Sequence, residues 1–191
     1  MRQASPSKPL LNLSISPEHQ AEMCRAYYDG APGIFVSGMV WVAAAVVCAL
    51  FGITQGVWTL LIGGAAIYPA SLVVTKALGR PAKTVGANAL NQLGMASTIW
   101  LIVGYAMAYG LFCLNSALFF PAMIATIGSR YLIFASMYGK TIYWAMGGSL
   151  IVAGIIALFA NFAPLVLAGI GGIVEILFAS IVFLGASKYA V

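Results

Sequence analysis

The chain has 191 residues, of which 62% are hydrophobic and 7% are charged, and its mean hydropathy is +1.01. A soluble domain carries about 25% charged residues, so this composition excludes that class and indicates an integral membrane protein. The net charge of +5 comes from scattered basic residues without an interleaved aromatic patch, so we expect no nucleic-acid partner.

The cysteines, the histidine and the sequence motifs argue against several kinds of functional site. The cysteines, Cys24, Cys48 and Cys113, share no metal-ligand spacing, and the one histidine, His19, lies in the N-terminal arm. We therefore expect no metal site and no cofactor. The sequence contains no H-E-x-x-H, G-x-S-x-G or P-loop motif, so we expect no enzyme, and an intramembrane enzyme is the least favoured alternative.

The N-terminal part of the chain is more polar than the remainder. Residues 1–15 mix Ser, Pro and Lys, which predicts a disordered, retained arm. Ser16, Pro17 and Glu18 suit the N-cap, the first position and the first turn of a helix. We predict a short amphipathic cytoplasmic helix over residues 16–30.

This predicted helix would end at Gly30 and Pro32. It has two alternative arrangements, because it could lie on the membrane surface or pack on the cytoplasmic loops. Its expected apolar stripe consists of Ala21, Cys24, Tyr27 and Tyr28.

Six apolar segments follow, each long enough to cross the ~30 Å hydrocarbon core of a bilayer as a helix. We predict an all-α membrane protein in which residues 31–191 form a six-transmembrane-helix bundle. The spans are expected at about 33–53, 56–78, 91–112, 117–139, 141–160 and 165–186.

Basic residues fall on one side of these spans. The N-terminal arm, the second-to-third connection, the fourth-to-fifth connection and the C-terminal tail all contain Lys or Arg. The other three connections contain neither residue. The positive-inside rule therefore predicts that both termini lie in the cytoplasm.

The even-numbered spans share a short sequence pattern. Residues 63–71 (GGAAIYPAS), 128–136 (GSRYLIFAS) and 172–180 (GIVEILFAS) all begin with Gly and end with Ala-Ser. One interpretation is three repeated two-helix hairpins, related by an axis along the membrane normal. The alternative is chance similarity among helices that are rich in small residues.

Two charged residues lie well inside the predicted spans, Arg130 in the fourth and Glu175 in the sixth. A charge at mid-membrane costs about 3 kcal/mol or more, so it needs a partner or water, and we predict that the two form an ion pair. The candidate intramembrane polar cluster consists of Arg130, Glu175, Tyr131, Tyr68 and Ser71. It would be either a structural pair that fixes helix packing, or a water-lined solute site or proton-coupled switch.

Several stretches of the chain carry a family likeness. They are GAPGIFVSGMVW at 30–41, FGITQGVWTLLIGGAAIYPAS at 51–71, TKALGRP at 75–81, FFPAMIATIGSRYLIFASMYG at 119–139, and Tyr143-Trp144. Over about residues 20–150 the chain resembles a bacterial family of small multi-pass integral membrane proteins of unknown function. The resemblance implies a protein of the bacterial inner membrane and implies no particular chemistry.

These observations favour a small-solute or ion permease of the cell inner membrane, with its centre at Arg130 and Glu175. The alternative is a non-transporting structural, stress-related or partner-binding membrane protein in which this pair is purely structural. The expected partners are the lipid bilayer, a small-molecule substrate of unknown identity and, in a homo-oligomer, a second copy of the chain.

Overall fold

A computed structural model of the chain describes residues 16–85, 88–160 and 162–186. Helices make up most of these residues, and no strand occurs among them. The predicted arm over residues 1–15 lies outside the described residues. The helices are α1 (Pro17–Tyr27), α2 (Ala31–Phe51), α3 (Ile53–Ala77), α4 (Leu90–Leu114), α5 (Phe119–Tyr138), α6 (Ile142–Phe159) and α7 (Pro164–Ala186).

Helices α2 to α7 correspond to the six predicted membrane spans. Each is long and apolar enough to cross a bilayer, which confirms the all-α, six-helix prediction. The first loop differs from the prediction, because Thr54 and Gln55 lie inside α3 and Gly52 alone separates α2 from α3. Gly52 has a φ of 103°, which a residue without a Cβ adopts at little cost.

Helix α1 begins as predicted but ends differently. Ser16 is the N-cap, and its hydroxyl oxygen accepts a hydrogen bond of 3.2 Å from a backbone N–H two residues on. Tyr28, Asp29 and Gly30 then have φ values of 55°, 56° and 87°, which turns the chain out of the helix. Pro32 is the second residue of α2, so it begins the next helix and does not end α1.

Helix α1 packs on a neighbouring connection, the second of its two predicted arrangements. Met23 and Ala26 are its buried residues, whereas Ala21, placed in the predicted apolar stripe, is exposed. The Ala26 carbonyl accepts a 3.1 Å hydrogen bond from the N–H of Ala82, in the α3–α4 connection. The buried face of α1 is therefore rotated by part of a helical turn from the predicted apolar stripe, and that prediction was wrong.

The six long helices form two groups of three. In the α2 unit, α2 lies between α3 and α7, and in the α5 unit, α5 lies between α4 and α6. Glycine permits close approach within each unit. A Cβ on Gly38 would lie 3.0 Å from the Gly172 carbonyl oxygen, and one on Gly128 would lie 2.8 Å from the Gly147 carbonyl oxygen. Small residues at such contacts let helix backbones approach closely in membranes.

Large buried side chains fill the interface between the two units. The rings of Trp41 on α2 and Phe120 on α5 lie 6.0 Å apart between centroids, and both residues are almost fully buried. Close backbone approaches between the units are few compared with those within each unit. The two units therefore meet mainly through side chains.

The helix packing does not follow three equivalent hairpins. Helices α2 and α3 pack along each other, as do α4 and α5, but α6 approaches α7 at few positions and α7 packs along α2. The threefold repeat stays a sequence-level prediction without support from the packing.

Two adjacent glycines of α6 provide a test of the close packing inside the α5 unit. A Cβ at Gly147 would lie 2.7 Å from the Gly128 carbonyl oxygen, whereas a Cβ at Gly148 would meet nothing within 4 Å. We expect Gly147→Ala to lower the free energy of unfolding by about 1–3 kcal/mol, because the helices must separate. The matched control Gly148→Ala should leave it unchanged or raise it by about 0.5–1 kcal/mol. Denaturant unfolding in mixed micelles measures both, and equal effects would contradict the packing.

Candidate functional site

A buried carboxyl group joins the two units. Glu175, on α7, is 1% exposed. Its Oε1 accepts a 2.6 Å hydrogen bond from the hydroxyl of Tyr131 on α5. Among the described residues, its Oε2 has no hydrogen-bond partner. Ser37 of α2 is a further polar side chain near this carboxyl group. The Tyr131–Glu175 hydrogen bond therefore crosses from the α5 unit to the α2 unit.

Arg130 faces a different helix. Its Nε donates a 3.2 Å hydrogen bond to the hydroxyl of Ser97 on α4, and its guanidinium carbon lies 5.1 Å from the centre of the Phe134 ring. Successive residues of an α-helix point about 100° apart, so Arg130 and Tyr131 cannot face the same neighbour. In the part of the chain that the structure describes, Arg130 and Glu175 form no ion pair, and that prediction was wrong.

The two predicted cluster residues on α3 lie apart from the carboxyl group. Tyr68 is 64% exposed, on the outer surface of the bundle. The hydroxyl of Ser71 donates a local 2.7 Å hydrogen bond to the backbone carbonyl of Tyr68. Of the five predicted cluster residues, the structure therefore brings together Tyr131 and Glu175, with Arg130 next along the chain but turned toward α4.

An apolar void adjoins Glu175 at the interface between the units. It is a narrow packing gap, and no point within it has room for a water molecule. Helices α2, α5, α6 and α7 all contribute to its wall, which consists of Trp41, Ile124, Ile127, Leu150, Gly171 and Glu175. The indole N–H of Trp41 is a second buried polar group that has no partner among the described residues.

An ionised Glu175 would be poorly satisfied in this environment. A carboxylate has about four acceptor positions, and the Tyr131 hydroxyl fills one of them. A hydrogen bond to a charged group contributes about 1.5–3 kcal/mol, whereas removing a carboxylate from water costs several kcal/mol. The site therefore suits a neutral carboxyl group, or a carboxylate that meets a cation or water when the interface opens.

A second polar centre lies where α1 meets the bundle. Lys140 forms an ion pair with Asp29, with 2.9 Å between Nζ and Oδ2, and Asp29 is 4% exposed. The Tyr143 hydroxyl donates a 2.5 Å hydrogen bond to the Asp29 backbone carbonyl. From the sequence, Lys140 indicates topology only, and its pairing with Asp29 was not predicted. Asp29, a single acidic residue in the turn between α1 and α2, is the signal that could have indicated the pair.

Aromatic rings connect these two polar centres. The Tyr131 and Tyr143 rings stack with centroids 6.2 Å apart, and Tyr143 in turn stacks on Tyr138 at 5.7 Å. Tyr143 is also the side chain that donates to Asp29. A continuous set of buried rings thus runs from Glu175 to the α1 end of the bundle.

The remaining contacts fix α1 at that end. Glu22 accepts hydrogen bonds from the backbone N–H of Val85 and from the side-chain amide of Asn88, the latter at 2.7 Å. Cys24, on α1 outside the membrane-spanning helices, donates a 3.3 Å hydrogen bond to the Tyr138 carbonyl. Burial and the neighbouring Asp29 raise the pKa of this thiol to about 12, so it stays protonated.

Within the described ranges, no group of three or more His, Cys, Asp or Glu could hold a metal ion.

Six apolar membrane-length helices, packed around one buried carboxyl group, define a multi-pass helical membrane protein. The family model described as a family of unknown function (DUF7010) matches residues 17–185, and the chain belongs to that family. The match confirms the family resemblance and extends it over α6 and α7, so it includes Glu175. No match was found among the curated proteins or among the solved structures.

A double-mutant cycle tests the partner of Glu175. In the wild type, Tyr131→Phe should lower the free energy of unfolding by about 1–3 kcal/mol, because it removes a hydrogen bond to a buried carboxyl group. In a Glu175→Met background the same change should cost little, which gives a coupling of about 1 kcal/mol or more.

The matched cycle pairs Arg130→Met with Glu175→Met. Its coupling should be about 0.5 kcal/mol or less, because Arg130 bonds to α4. A larger coupling for Arg130 than for Tyr131, measured by unfolding in mixed micelles, would restore the predicted ion pair and contradict the contacts described above.

Proposed function

We propose that the protein is a small-solute or ion permease of the bacterial inner membrane, with its site at Glu175 and Tyr131. The observation that carries this proposal is the buried carboxyl group at a void between two helix units, which forms no salt bridge with any of the described residues. Ionisable groups inside membranes commonly mark solute and ion paths. A glutamine could accept the same Tyr131 hydrogen bond without an ionisable group, so packing alone does not require the acid.

The order of the helices supports this proposal. As α2 proceeds from Gly30 to Trp41, its neighbours on α5 change from Tyr138 to Phe120, so the two central helices are antiparallel. In this proposal α2, α3 and α4 correspond to α5, α6 and α7 in the inverted orientation. In the packed structure the third helix of each half packs on the other half, since α7 lies against α2 and α4 lies against α5.

Spacing along the chain agrees with this correspondence for two of the three helix pairs, whereas the starts of α4 and α7, Leu90 and Pro164, lie 164 − 90 = 74 residues apart. Pro32 and Pro121, near the starts of α2 and α5, lie 121 − 32 = 89 residues apart. Ile53 and Ile142, the first residues of α3 and α6, also lie 142 − 53 = 89 residues apart. Many transporters are built from inverted repeats, with the solute site at mid-membrane between them. The Glu175 void has the corresponding place between the α2 and α5 units.

In this proposal, rocking of one unit against the other opens the void to one side of the membrane and then to the other. The interface suits such a motion because side chains, and few backbone approaches, hold it together. The Lys140–Asp29 ion pair and the contacts of α1 hold the α1 end closed in the conformation described here.

The α1 end is assigned to the cytoplasm. Basic residues of two connections meet there, since Lys140 pairs with Asp29 and the Arg80 guanidinium carbon lies 4.7 Å from the centre of the Tyr28 ring. Positively charged connections favour the cytoplasmic side of the inner membrane. The exposed apolar side chains of the six long helices would face the lipid bilayer.

A second candidate function is a non-transporting structural, stress-related or partner-binding membrane protein. Contacts between α4 and α5 favour it, because Arg130 donates a hydrogen bond to Ser97, and the Trp100 indole N–H donates a 2.8 Å hydrogen bond to Ser129. Such interhelical bonds stabilise a bundle without any role in transport. The two candidates differ in whether water ever reaches the void.

Cysteine labelling distinguishes the two candidates. In a background with Cys24→Ser, Cys48→Ala and Cys113→Ser, Leu150→Cys places a thiol in the wall of the void. We expect a membrane-impermeant thiol reagent to label it in cells or in oriented vesicles, because a permease must expose its site to water. Mass spectrometry measures the labelled fraction from each side.

Val152→Cys is the matched control, because Val152 lies on the same helix two residues away and is 56% exposed on the outer, apolar surface. In a bilayer this thiol should remain unlabelled, since it contacts lipid. Protection of both thiols under all conditions would exclude the permease and favour the structural alternative.

A further inference from the structure

We infer that Glu175 is an exchangeable proton site, so that the ion that moves with, or as, the solute of this permease is H⁺. This inference rests on the proposed function, which leaves the ion unnamed. In the closed conformation Glu175 is the neutral acid. When the units separate, its carboxyl O–H bond breaks, the proton passes to water, and the carboxylate remains on α7.

The lack of a counter-ion is the first argument for the neutral acid. In the described residues Arg130 bonds to Ser97 and Lys140 pairs with Asp29, so neither cation lies against Glu175. The Tyr131 hydroxyl is a neutral donor to one oxygen, and the other oxygen has no partner. A buried neutral carboxyl group with one hydrogen bond is far less costly than a buried charge with one hydrogen bond.

The size of the void limits which cations could lie beside an ionised Glu175 and neutralise its charge. No point in it has room for a water molecule, so neither a hydrated metal ion nor an organic ammonium ion fits beside Glu175 in this conformation. Its other wall residues are apolar or aromatic, and they offer no oxygen ligands of the kind that metal ions need. A proton is the one cation that needs no space.

The ionisable groups around Glu175 are consistent with this assignment. Helix α2 presents Ser37 and Trp41, which do not ionise in this range, and α6 presents Leu150. Tyr131 and Arg130 of α5 and Tyr105 of α4 are the ionisable groups that interact with the carboxyl group. None of them can accept the proton of Glu175 at neutral pH, because the tyrosine hydroxyls and the guanidinium are already protonated there.

The sign of the pH dependence follows from linkage. The closed conformation binds one proton more than a conformation in which the carboxylate meets water. Raising the pH therefore shifts the population toward the open conformation, and lowering the pH favours the closed one. Glutamine at position 175 imitates the neutral acid, so Glu175→Gln should hold the units together at every pH.

Infrared spectroscopy of the purified full chain, in a detergent without ester groups, tests the protonation. The chain has four acidic residues, Glu18, Glu22, Asp29 and Glu175, so a carboxylic-acid C=O band is readily assigned. At neutral pH we expect one such band that shifts in D₂O and decreases as the pH is raised. It should disappear in Glu175→Gln and remain in the matched control Glu18→Gln, which alters an exposed residue of α1.

Tyr131→Phe should move the same band to higher frequency, because the carboxyl group loses its hydrogen-bond donor. A purely structural effect of that substitution would change stability without moving a carboxylic-acid band. A folded wild type without the band, a band that survives in Glu175→Gln, or a band that does not respond to pH would overturn the inference.

Labelling of Leu150→Cys at several pH values tests the coupling between the proton and the interface. Relative to the same cysteine in a Glu175→Gln background, the labelling rate should rise with pH, by up to about tenfold per pH unit for one proton. The ratio removes the increase that thiol ionisation itself produces. A ratio that stays constant while the infrared band titrates would overturn the coupling.

The two proposals fail in different ways. If Leu150→Cys is labelled but no neutral carboxyl band is found, the permease stands and the proton assignment is wrong. If the band is present but the void is never labelled, the permease is wrong, and Glu175 holds a structural proton that is not coupled to transport.

Discussion

The hydrogen bond from Tyr131 to Glu175 is the contact on which the arrangement of the two helix units depends. Each unit is held internally by close glycine-mediated packing, such as Gly38 against Gly172. Between the units, large side chains meet around a void, and this bond is the buried polar link found there among the described residues. In an apolar environment a polar link has few competing partners, so it fixes how α5 faces α7.

The six long helices and the start of α1 could be predicted from the sequence, because they depend on local properties. Apolar length predicts the six spans, and Ser16 predicts the start of α1 through its N-cap. The side chains that face one another depend on helix rotation and on which helices are neighbours. The nine-residue pattern predicts similar depth for Arg130 and Glu175, but depth alone does not select a partner.

The predicted and the observed partners of Glu175 are neighbours in the sequence. Arg130 and Tyr131 are consecutive, so they face different helices, and charge favoured the wrong one of the two as the partner of Glu175. A tyrosine hydroxyl can donate to a neutral acid or to a carboxylate, whereas an adjacent arginine needs the ionised form as its partner. The identity of the partner therefore changes the chemistry expected of the site, from a fixed ion pair to a group that can gain and lose a proton.

The two polar centres of the bundle then have different physical roles. At the α1 end, Asp29 and Lys140 form a charged pair in which Asp29 is buried and Lys140 is partly exposed, so each charge has the other as a partner. At mid-membrane, Glu175 is enclosed by apolar walls, where a change of one charge alters the stability of the whole interface. The stacked rings of Tyr131 and Tyr143 connect the two centres, and the Tyr143 hydroxyl bonds to Asp29. A displacement of Tyr131 would therefore reach the turn between α1 and α2 through the Tyr143 ring, which couples the two polar centres mechanically.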